Sequence, residues 1–353
     1  MGRKNNIRRL LALLLIVMFW QTGYVSAQEL NVKELLFEHL GDSYSWHITQ
    51  WGDHEISIPL PVIVKGKDSG WHLFLSSRLD HGAAYRGFHI AHEGDYAGKI
   101  VEQAGFGEEV RPAIDLSLTK NAVAVMINCF VVLLVIMPLA RWYKKGTMIP
   151  AKGLMGAVEM LLVDIQEGVI KECVGDDYKR FSPYLLTAFF FIFINNLMGL
   201  IPFFPGGANV TGNIAVTLFL ALCTFFTVNV FGNKAYWKEI LWPDVPIWLK
   251  VPAPIMPLIE FFGIFTKPFA LTIRLFANIT AGHSVILGLC CLIFITASMG
   301  AVINASLSAV AVFFICFMTF IELLVAYIQA YVFTLLSAVF IGLAQTKHET
   351  HQK

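Results

Sequence analysis

The fold is decided by residues 307–344, LSAVAVFFICFMTFIELLVAYIQAYVFTLLSAVFIGLA, an apolar run with one acidic residue and no proline. A helix over this run would be about 55 Å long, whereas the apolar core of a bilayer is about 30 Å thick. Residues 251–298 form a second long apolar run, although it contains Pro252, Pro254, Pro257 and Pro268. Together the two runs predict a helical hairpin that crosses a membrane at a steep tilt. Such a hairpin is suited to wrapping around another object in the membrane.

The composition also indicates a membrane protein. Hydrophobic residues make up 56% of the chain and charged residues 14%, whereas soluble domains carry about 25% charged residues. Three more apolar runs are long enough to cross a bilayer: residues 122–140, 181–203 and 213–231. We therefore expect an all-α membrane domain over residues 121–345 with about five transmembrane helices. The net charge of +1 gives no indication of nucleic-acid binding.

The N-terminus has the pattern of a secretory signal peptide. Four basic residues precede the apolar stretch 10–20, and small residues follow at Ser26 and Ala27. We expect residues 1–27 to be a signal peptide, and an uncleaved membrane anchor is the alternative. In both cases the segment after Gln28 lies on the outer side of the membrane.

Residues 28–120 are polar and glycine-rich, and they predict a small β-rich domain outside the membrane. Apolar and polar residues alternate over 45–49, 55–64 and 71–76, as in half-buried strands, and residues 31–40 predict a short helix. None of the six cysteines falls in this domain, so no disulfide framework is expected there.

Loop charges predict the orientation of the membrane domain. Basic residues are concentrated in the connections 141–180 and 234–250, whereas 205–212 and 299–306 carry no charge. By the positive-inside rule, the charged connections and the tail 346–353 are cytoplasmic, and the N-terminal domain lies on the outer side. We expect a multi-pass protein of a bacterial inner membrane, with this domain in the periplasm. In the first charged connection, apolar residues recur at helical spacing from Leu154 to Val169. They predict an amphipathic helix that either lies at the membrane surface or packs on its neighbours.

Ionisable residues at membrane depth cost about 2.5–3.5 kcal/mol each, so each requires an explanation. The predicted hairpin holds Glu260, Lys267, Arg274, His283 and Glu322, with the amides of Asn278 and Gln329 alongside. Arg274 lies too far from either end of its run to reach water by extending its side chain. A locked structural ion pair is the alternative explanation for this arginine.

The spacing of these residues predicts which of them face each other. In an antiparallel hairpin that turns near residue 302, His283 lies opposite Glu322 and Arg274 lies opposite Gln329. Asn278, four residues after Arg274, shares the face of the arginine. His283 and Glu322 then lie toward the outer surface and Glu260 toward the cytoplasm, with a fixed positive charge between them. This arrangement predicts two ion half-channels separated by the arginine, and a histidine can pass protons near neutral pH.

Three stretches of the membrane domain form recognisable motifs. They are 273–283, IRLFANITAGH; 328–336, IQAYVFTLL, together with Glu322; and 195–202, NNLMGLIP. The first resembles the signature of subunit a of F-type ATP synthases, the second resembles the last helix of that family, and the third is similar to another of its recognisable segments. The resemblance covers about residues 122–344.

The resemblance implies a proton-translocating stator beside a ring of subunit c, with the peripheral stalk subunit b as a second partner and with no catalysis by this chain alone. Arg274 matches the essential arginine, and Gln329 matches the glutamine that neighbours it. His283 and Glu322 match a relay on the periplasmic side, with acid and base exchanged between the helices relative to some members. Glu260 matches a carboxylate of the cytoplasmic channel. No cofactor is implied. The outer domain is larger than the usual N-terminal segment of the family, and the resemblance assigns it no role.

Two other classes of function remain as alternatives. A secondary transporter would use Arg274 to bind an anionic substrate, but such folds usually contain inverted repeats, and none is recognisable here. An intramembrane or metal-dependent enzyme would need a nucleophile–base or ligand motif, which is also missing from the sequence. His81, His89, His92 and Glu93 could suggest a metal site, but their spacing matches no strong ligand pattern, so no metal is expected.

Overall fold

A computed structural model describes residues 41–51, 54–67, 70–79, 83–91, 94, 96–103, 109–145, 150–201, 206–241, 255–297 and 300–345. The expected signal peptide 1–27, the expected short helix 31–40 and the tail 346–353 lie outside these residues. So do His81, His92 and Glu93 of the possible metal site.

The described part of the N-terminal domain forms three small antiparallel sheets. Strands β1 (Ser45–Trp51) and β2 (His54–Pro59) form a hairpin. The second sheet has the order β4-β3-β8, and the third has the order β5-β6-β7. The strands of these two sheets are β3 (Pro61–Gly66), β4 (Gly70–Leu75), β5 (Phe88–Ile90), β6 (Ile100–Gln103), β7 (Glu109–Val110) and β8 (Ile114–Asp115). Their shared core contains Val62, Val64, Phe74, Phe88 and Ile100.

The single strand predicted over residues 55–64 is wrong, because it is divided at Leu60 between two sheets. Pro59 and Pro61 flank this residue, and a proline has no N–H group to continue a strand ladder. At the break, the backbone N–H of Leu60 donates to Ser76 Oγ at 3.1 Å. The N–H of Ser76 donates in return to the Leu60 carbonyl at 2.9 Å. The side chain of Ser76 therefore provides a partner that the neighbouring strands do not.

Among the described residues, five helical segments are long and apolar enough to cross a membrane, which confirms the predicted fold class. The helices are α1 (Lys120–Lys144), α2 (Leu154–Ile165), α3 (Lys171–Val174), α4 (Tyr178–Gly199), α5 (Ile214–Phe231), α6 (Lys234–Leu241), α7 (Ile255–Thr296) and α8 (Ala301–Gln345). The five spans are α1, the segment from α2 to α4, α5, α7 and α8.

Two of the membrane helices have a polar side chain as their N-cap. The Thr119 side chain accepts a bond from the Ala122 N–H at the start of α1, and Asn213 accepts one from Ala215 at the start of α5. Such caps satisfy backbone donors that have no partner within the helix. Helix α7 begins just before Pro257 and continues through Pro268. A proline in the first turn is tolerated because its missing N–H is not needed there.

Helices α7 and α8 form the long hairpin, with lengths of about 63 and 68 Å at 1.5 Å per residue. Gly300 lies in the turn with φ of +105°, a conformation that residues with a Cβ rarely adopt. Near the turn, Thr296 Oγ1 donates to Asn304 Oδ1 at 2.9 Å. Near the other end, Lys267 Nζ lies 5.4 Å from the ring centre of Phe340. The hairpin register therefore agrees with the predicted turn near residue 302.

The segment between α1 and α4 runs from the end of α1 to the end of α8. The Tyr143 hydroxyl donates to Glu159 in α2, and Gly342 of α8 lies against the backbone of Cys173 in α3. A π-helical turn, Gln166–Ile170, joins α2 to α3 and contributes buried Val169 and Ile170. One side of this segment packs on the bundle, while Leu154, Met160 and Val163 of α2 are exposed. One side of the segment thus packs on its neighbours, as the second alternative predicted, and the position of the other side relative to the membrane stays a prediction.

Candidate functional site

His283 of α7 and Glu322 of α8 lie together between the two long helices. His283 Nδ1 is 3.3 Å from Glu322 Oε1, within ion-pair distance. The Glu322 side chain is 7% exposed and that of His283 is 19% exposed. Neither carboxylate oxygen of Glu322 accepts a hydrogen bond in the described part of the chain. The spacing of the two residues therefore predicted a real juxtaposition, and the carboxylate retains capacity for further partners.

Two glycines make room for this pair. A Cβ atom on Gly282 would overlap the carboxylate of Glu322, so α7 presents bare backbone to the acid. On the other side, a Cβ on Gly199, at the end of α4, would lie 3.5 Å from His283 Nε2. The histidine and the glutamate thus occupy a space bounded by α4, α7 and α8.

A polar connection lies about one helical turn from this pair. Asn196 Nδ2 of α4 donates to the Ala326 carbonyl of α8 at 3.2 Å. Thr211 Oγ1, in the connection before α5, donates to Asn196 Oδ1 at 2.8 Å. The side chains of Asn196 and Thr211 are almost completely buried. This connection fixes α4 and α8 at the level where Glu322 faces the bundle.

Arg274 lies on the exposed face of α7. Its neighbours on that face are Ala270, Ala277, Asn278 and Ala281, which are also exposed. No hydrogen bond or ion pair to Arg274 occurs among the residues that the structure describes. The ion pair given as an alternative therefore has no counterpart within this part of the chain.

Gln329 is placed differently from Arg274. It is 6% exposed and lies on the packed face of α8 that also carries buried Ala326 and Ala330. No hydrogen bond joins Gln329 to Arg274 within the described segments, although hairpin register places them at the same depth. Register determines depth along a hairpin but not the rotation of each helix about its axis, so the two side chains point in different directions.

The remaining predicted residues lie at the opposite end of α7. Half-buried Glu260 is in its second turn and Lys267 is two turns further along. Burial raises the pKa of the Tyr236 phenol in α6, and the nearby negative charge of Glu260 raises it further. Lys267 lines a cavity of about 20 Å³ together with Asn229 and Tyr236. Since a water molecule needs at least about 10–15 Å³, this cavity has room for one.

These residues can supply proton-transfer groups on both sides of a fixed cation. His283 and Glu322 lie toward the end of the bundle that carries the N-terminal domain, and Glu260 lies toward the other end. Arg274 lies between them, with a guanidinium that stays protonated in proteins. The described hairpin therefore carries ionisable side chains on both sides of Arg274.

The structure also adds residues to which sequence reasoning assigns no role. Gly282 and Gly199 stand in the sequence only as parts of motifs, and Asn196 and Thr211 have no predicted contact. Their function depends on which helix each one touches, and no periodic signal encodes this. His89, from the possible metal site, lies 3.0 Å from Glu109.

Comparison with known proteins gives two matches to family models. Residues 123–342 match the model of the ATP synthase A chain. Residues 35–121 match a domain of unknown function, DUF8433. The boundary between the matches falls in the first turn of α1.

Several relatives match most of the chain. The "ATP synthase subunit a" of Chloroherpeton thalassium is 42% identical over 244 residues, which cover 67% of this chain and 69% of that protein. The protein of the same name from Chlorobium phaeobacteroides is 44% identical over 260 residues, or 70% of this chain and 71% of that protein. That from Pelodictyon phaeoclathratiforme is 42% identical over 261 residues, covering 70% and 73%. Since the family model covers more than half of the chain and these relatives are matched over more than two thirds of their length, the chain belongs to the ATP synthase subunit a family.

Proposed function

We propose that this chain is the proton-translocating stator subunit of a rotary ATP synthase, and that Arg274 separates two proton half-channels that open on opposite sides of the membrane. The chain does not catalyse a reaction by itself. Its role is to deliver protons to the carboxylates of a rotating ring of subunit c and to accept them after rotation.

The observation that carries this proposal is the exposure of Arg274 without a partner in the described chain. A guanidinium on the open face of a helix at membrane depth is costly unless another molecule neutralises it. A carboxylate on a neighbouring ring subunit would do so, and each passing carboxylate would be kept ionised by the same arginine. The small residues Ala270, Ala277 and Ala281 on this face permit close approach of a partner helix. Asn278 lies beside the arginine as a polar neighbour.

The outer half-channel is proposed to end at His283 and Glu322. Their 3.3 Å separation places a base beside an acid, as a proton relay requires, and a histidine side chain can both accept and donate a proton. The inner half-channel is proposed to involve Glu260, with Lys267 as a secondary residue. Gln329 is proposed to belong to the proton path from the packed side of α8, because it contacts the bundle and not the exposed face of α7.

Other parts of the proposal concern partners and placement. The exposed apolar surfaces of α1 and α5 suit lipid contact, and the peripheral stalk subunit b is the second protein partner that the family implies. We place the enzyme in a bacterial inner membrane, with residues 28–120 in the periplasm after a signal peptide 1–27 and with the tail 346–353 in the cytoplasm. Labelling of single cysteines from either side of the membrane would test this orientation.

The decisive experiment measures ATP-driven and passive proton flux in vesicles that contain the whole enzyme with Arg274→Ala or Arg274→Lys. We expect both variants to lose ATP-driven pumping, because an ammonium can release its proton in a desolvated site whereas a guanidinium does not. Passive flux through the membrane sector should persist in Arg274→Ala. Arg180→Ala, outside the hairpin, serves as the matched arginine control and should pump normally.

Unchanged coupling in Arg274→Lys would overturn the proposal. A secondary transporter would instead show thermal stabilisation by an anionic substrate, and this stabilisation would be lost in Arg274→Ala. The stator and the transporter are distinguishable, because coupled proton pumping requires ATP whereas thermal stabilisation of a transporter requires the anionic substrate.

A further inference from the structure

The N-terminal domain is docked on one end of the membrane bundle through Trp46. This side chain is 3% exposed and packs with Ala124 of α1 and with Ala208 and Val210 of the connection before α5. Partly buried Ile58 of β2 adds to the same cluster. The domain is therefore held against the bundle by an apolar contact and not merely by its covalent connection to α1.

Polar contacts fix the same domain to the first turn of α1. The N–H of Asn121 donates to Asp42 Oδ1 at 3.0 Å. The N–H of Lys120 donates to the Ser43 carbonyl at 2.8 Å. Since the first N–H groups of a helix have no partner within the helix, the domain acts as its cap. Trp46 thus packs near Ala124, and Asp42 caps the first turn of α1.

One face of α1 beneath Trp46 carries two buried asparagines. Asn121, Ala124 and Asn128 are spaced at helical intervals, and all three are at most 5% exposed. The Oδ1 atoms of Asn121 and Asn128 accept no hydrogen bond from the described residues. A buried polar atom without a partner costs about 1–3 kcal/mol, and in proteins ordered water commonly satisfies such atoms. This face of α1 therefore offers two buried acceptors of the kind that ordered water satisfies.

The asparagine face leads toward His283. Asn128 Nδ2 donates to Asn195 Oδ1 of α4 at 2.8 Å. Asn195 and Gly199 are four residues apart and hence on one face of α4. Gly199 lies directly beside the His283 ring. A row of polar side chains, followed by the bare backbone of Gly199, thus connects the docked domain with His283 and Glu322.

We propose that the N-terminal domain forms the entrance of the outer half-channel, and that water and protons pass beneath Trp46 along Asn121, Asn128 and Asn195 to His283. This inference rests on the proposed function for its direction of proton flow. It adds a hydrated path along the asparagine face of α1. The N-terminal domain, to which the family resemblance assigns no role, covers this path. Trp46 narrows the entrance of this path, and Asp42 holds the N-terminal domain on the first turn of α1 beside it.

The test is the access of Ag⁺ to a thiol at position 128 in the assembled enzyme. All native cysteines are first replaced, including Cys129 next to the site, and Asn128→Cys is introduced. Ag⁺ is added from the side of the N-terminal domain, the protein is then unfolded, and the fraction of the residue-128 thiol that can still be alkylated is measured. Ala188→Cys is the matched control, because Ala188 is a buried residue in the apolar core of α4.

We expect Ag⁺ to protect position 128 at least about tenfold faster than position 188, since only the first lies on a path that ordered water can occupy. Adding Asn121→Leu should slow protection at position 128, because it removes a polar group from the path without removing the domain. Adding Trp46→Ala should speed it by removing the roof. Equal protection at positions 128 and 188, or no effect of Asn121→Leu, would overturn the inference.

The same vesicles separate this inference from the proposed function. If Arg274→Ala abolishes ATP-driven pumping while position 128 is as inaccessible as position 188, the stator function stands and the entrance lies elsewhere. If position 128 is accessible while Arg274→Ala pumps normally, the hydrated path exists but the proposed pair of proton half-channels is wrong.

Discussion

The backbone of Gly282 lies directly against the carboxylate of Glu322, in the space where any other residue would place its Cβ atom. The same carboxylate is 3.3 Å from the imidazole of His283, the next residue along α7. Helix α7 therefore contributes both the partner of the acid and the gap that admits it. The position of the Glu322 side chain depends on the absence of a side chain at Gly282 as much as on the presence of His283.

Gly282→Ala is expected to disrupt this pair. The added methyl group overlaps Glu322 Oε1, and the carboxylate must move away from His283 or α8 must move away from α7. We expect ATP-driven proton pumping to fall severalfold in vesicles that contain the assembled enzyme. Gly282→Ala combined with Glu322→Asp should recover part of the loss, because the shorter acid leaves room for the methyl group.

Gly288→Ala is the matched control for this experiment. It lies in the same helix, and a Cβ there meets no atom within 4 Å. Alanine is favoured over glycine in helices by about 1 kcal/mol, so this control should fold and pump normally. If Gly288→Ala impaired pumping as much as Gly282→Ala, the effect would belong to α7 in general and not to the Glu322 site.

The helical hairpin could be predicted from the sequence because the length of the apolar runs and the charge of the connections can be read directly along the chain. The long apolar runs and the uncharged connection around residues 299–306 were sufficient to place α7 and α8 antiparallel, with His283 opposite Glu322. The rotation of the helices was not predictable in the same way. For this reason Arg274 and Gln329 share a depth but point to different surroundings.

Contacts between distant elements explain the other differences. Strands β5 to β8 contain only two to four residues each, too few for an alternating pattern to stand out. The bond between Thr211 and Asn196 joins a connection to a helix, and neither residue is unusual in its own segment. Such contacts follow from tertiary packing, which local patterns do not encode.

Tyr44 is expected to ionise unusually late in the folded N-terminal domain. Its hydroxyl donates to Asp115 Oδ2 at 3.0 Å. Burial, together with the negative charge of Asp115, raises the pKa of Tyr44 to about 12. The folded domain holds this proton more tightly than the unfolded chain does. The contribution to stability is therefore complete below about pH 10 and is lost as the pH rises toward about 12.

The measurement for Tyr44 is the difference in phenolate absorbance between the wild-type protein and Tyr44→Phe across an alkaline titration. The difference should appear near pH 12, the raised pKa of the buried phenol. A difference that appears near the ordinary tyrosine pKa of about 10 would mean that the phenol is solvated and that its bond to Asp115 does not persist.

Gly342→Ala is expected to destabilise the packing of α8 on α3. A Cβ at this position overlaps the carbonyl oxygen of Cys173, which is backbone and does not rotate away. Overpacking of this kind typically costs about 1–3 kcal/mol. We expect a lower midpoint of thermal unfolding for the purified enzyme in detergent. Gly263→Ala, where a Cβ has open space, should leave the midpoint unchanged or slightly raised.

Exchange of His283 and Glu322 tests whether they act as a pair. His283→Ala and Glu322→Ala should each reduce coupled proton pumping by at least about tenfold, because each removes a group that transfers protons. The double variant His283→Glu with Glu322→His restores one acid and one base at the same depth. It should pump faster than either alanine variant, with proton flux measured in the same vesicles. If the exchanged enzyme is no better than the single variants, the two positions are not interchangeable, and a relay that needs only one acid and one base between α7 and α8 is wrong.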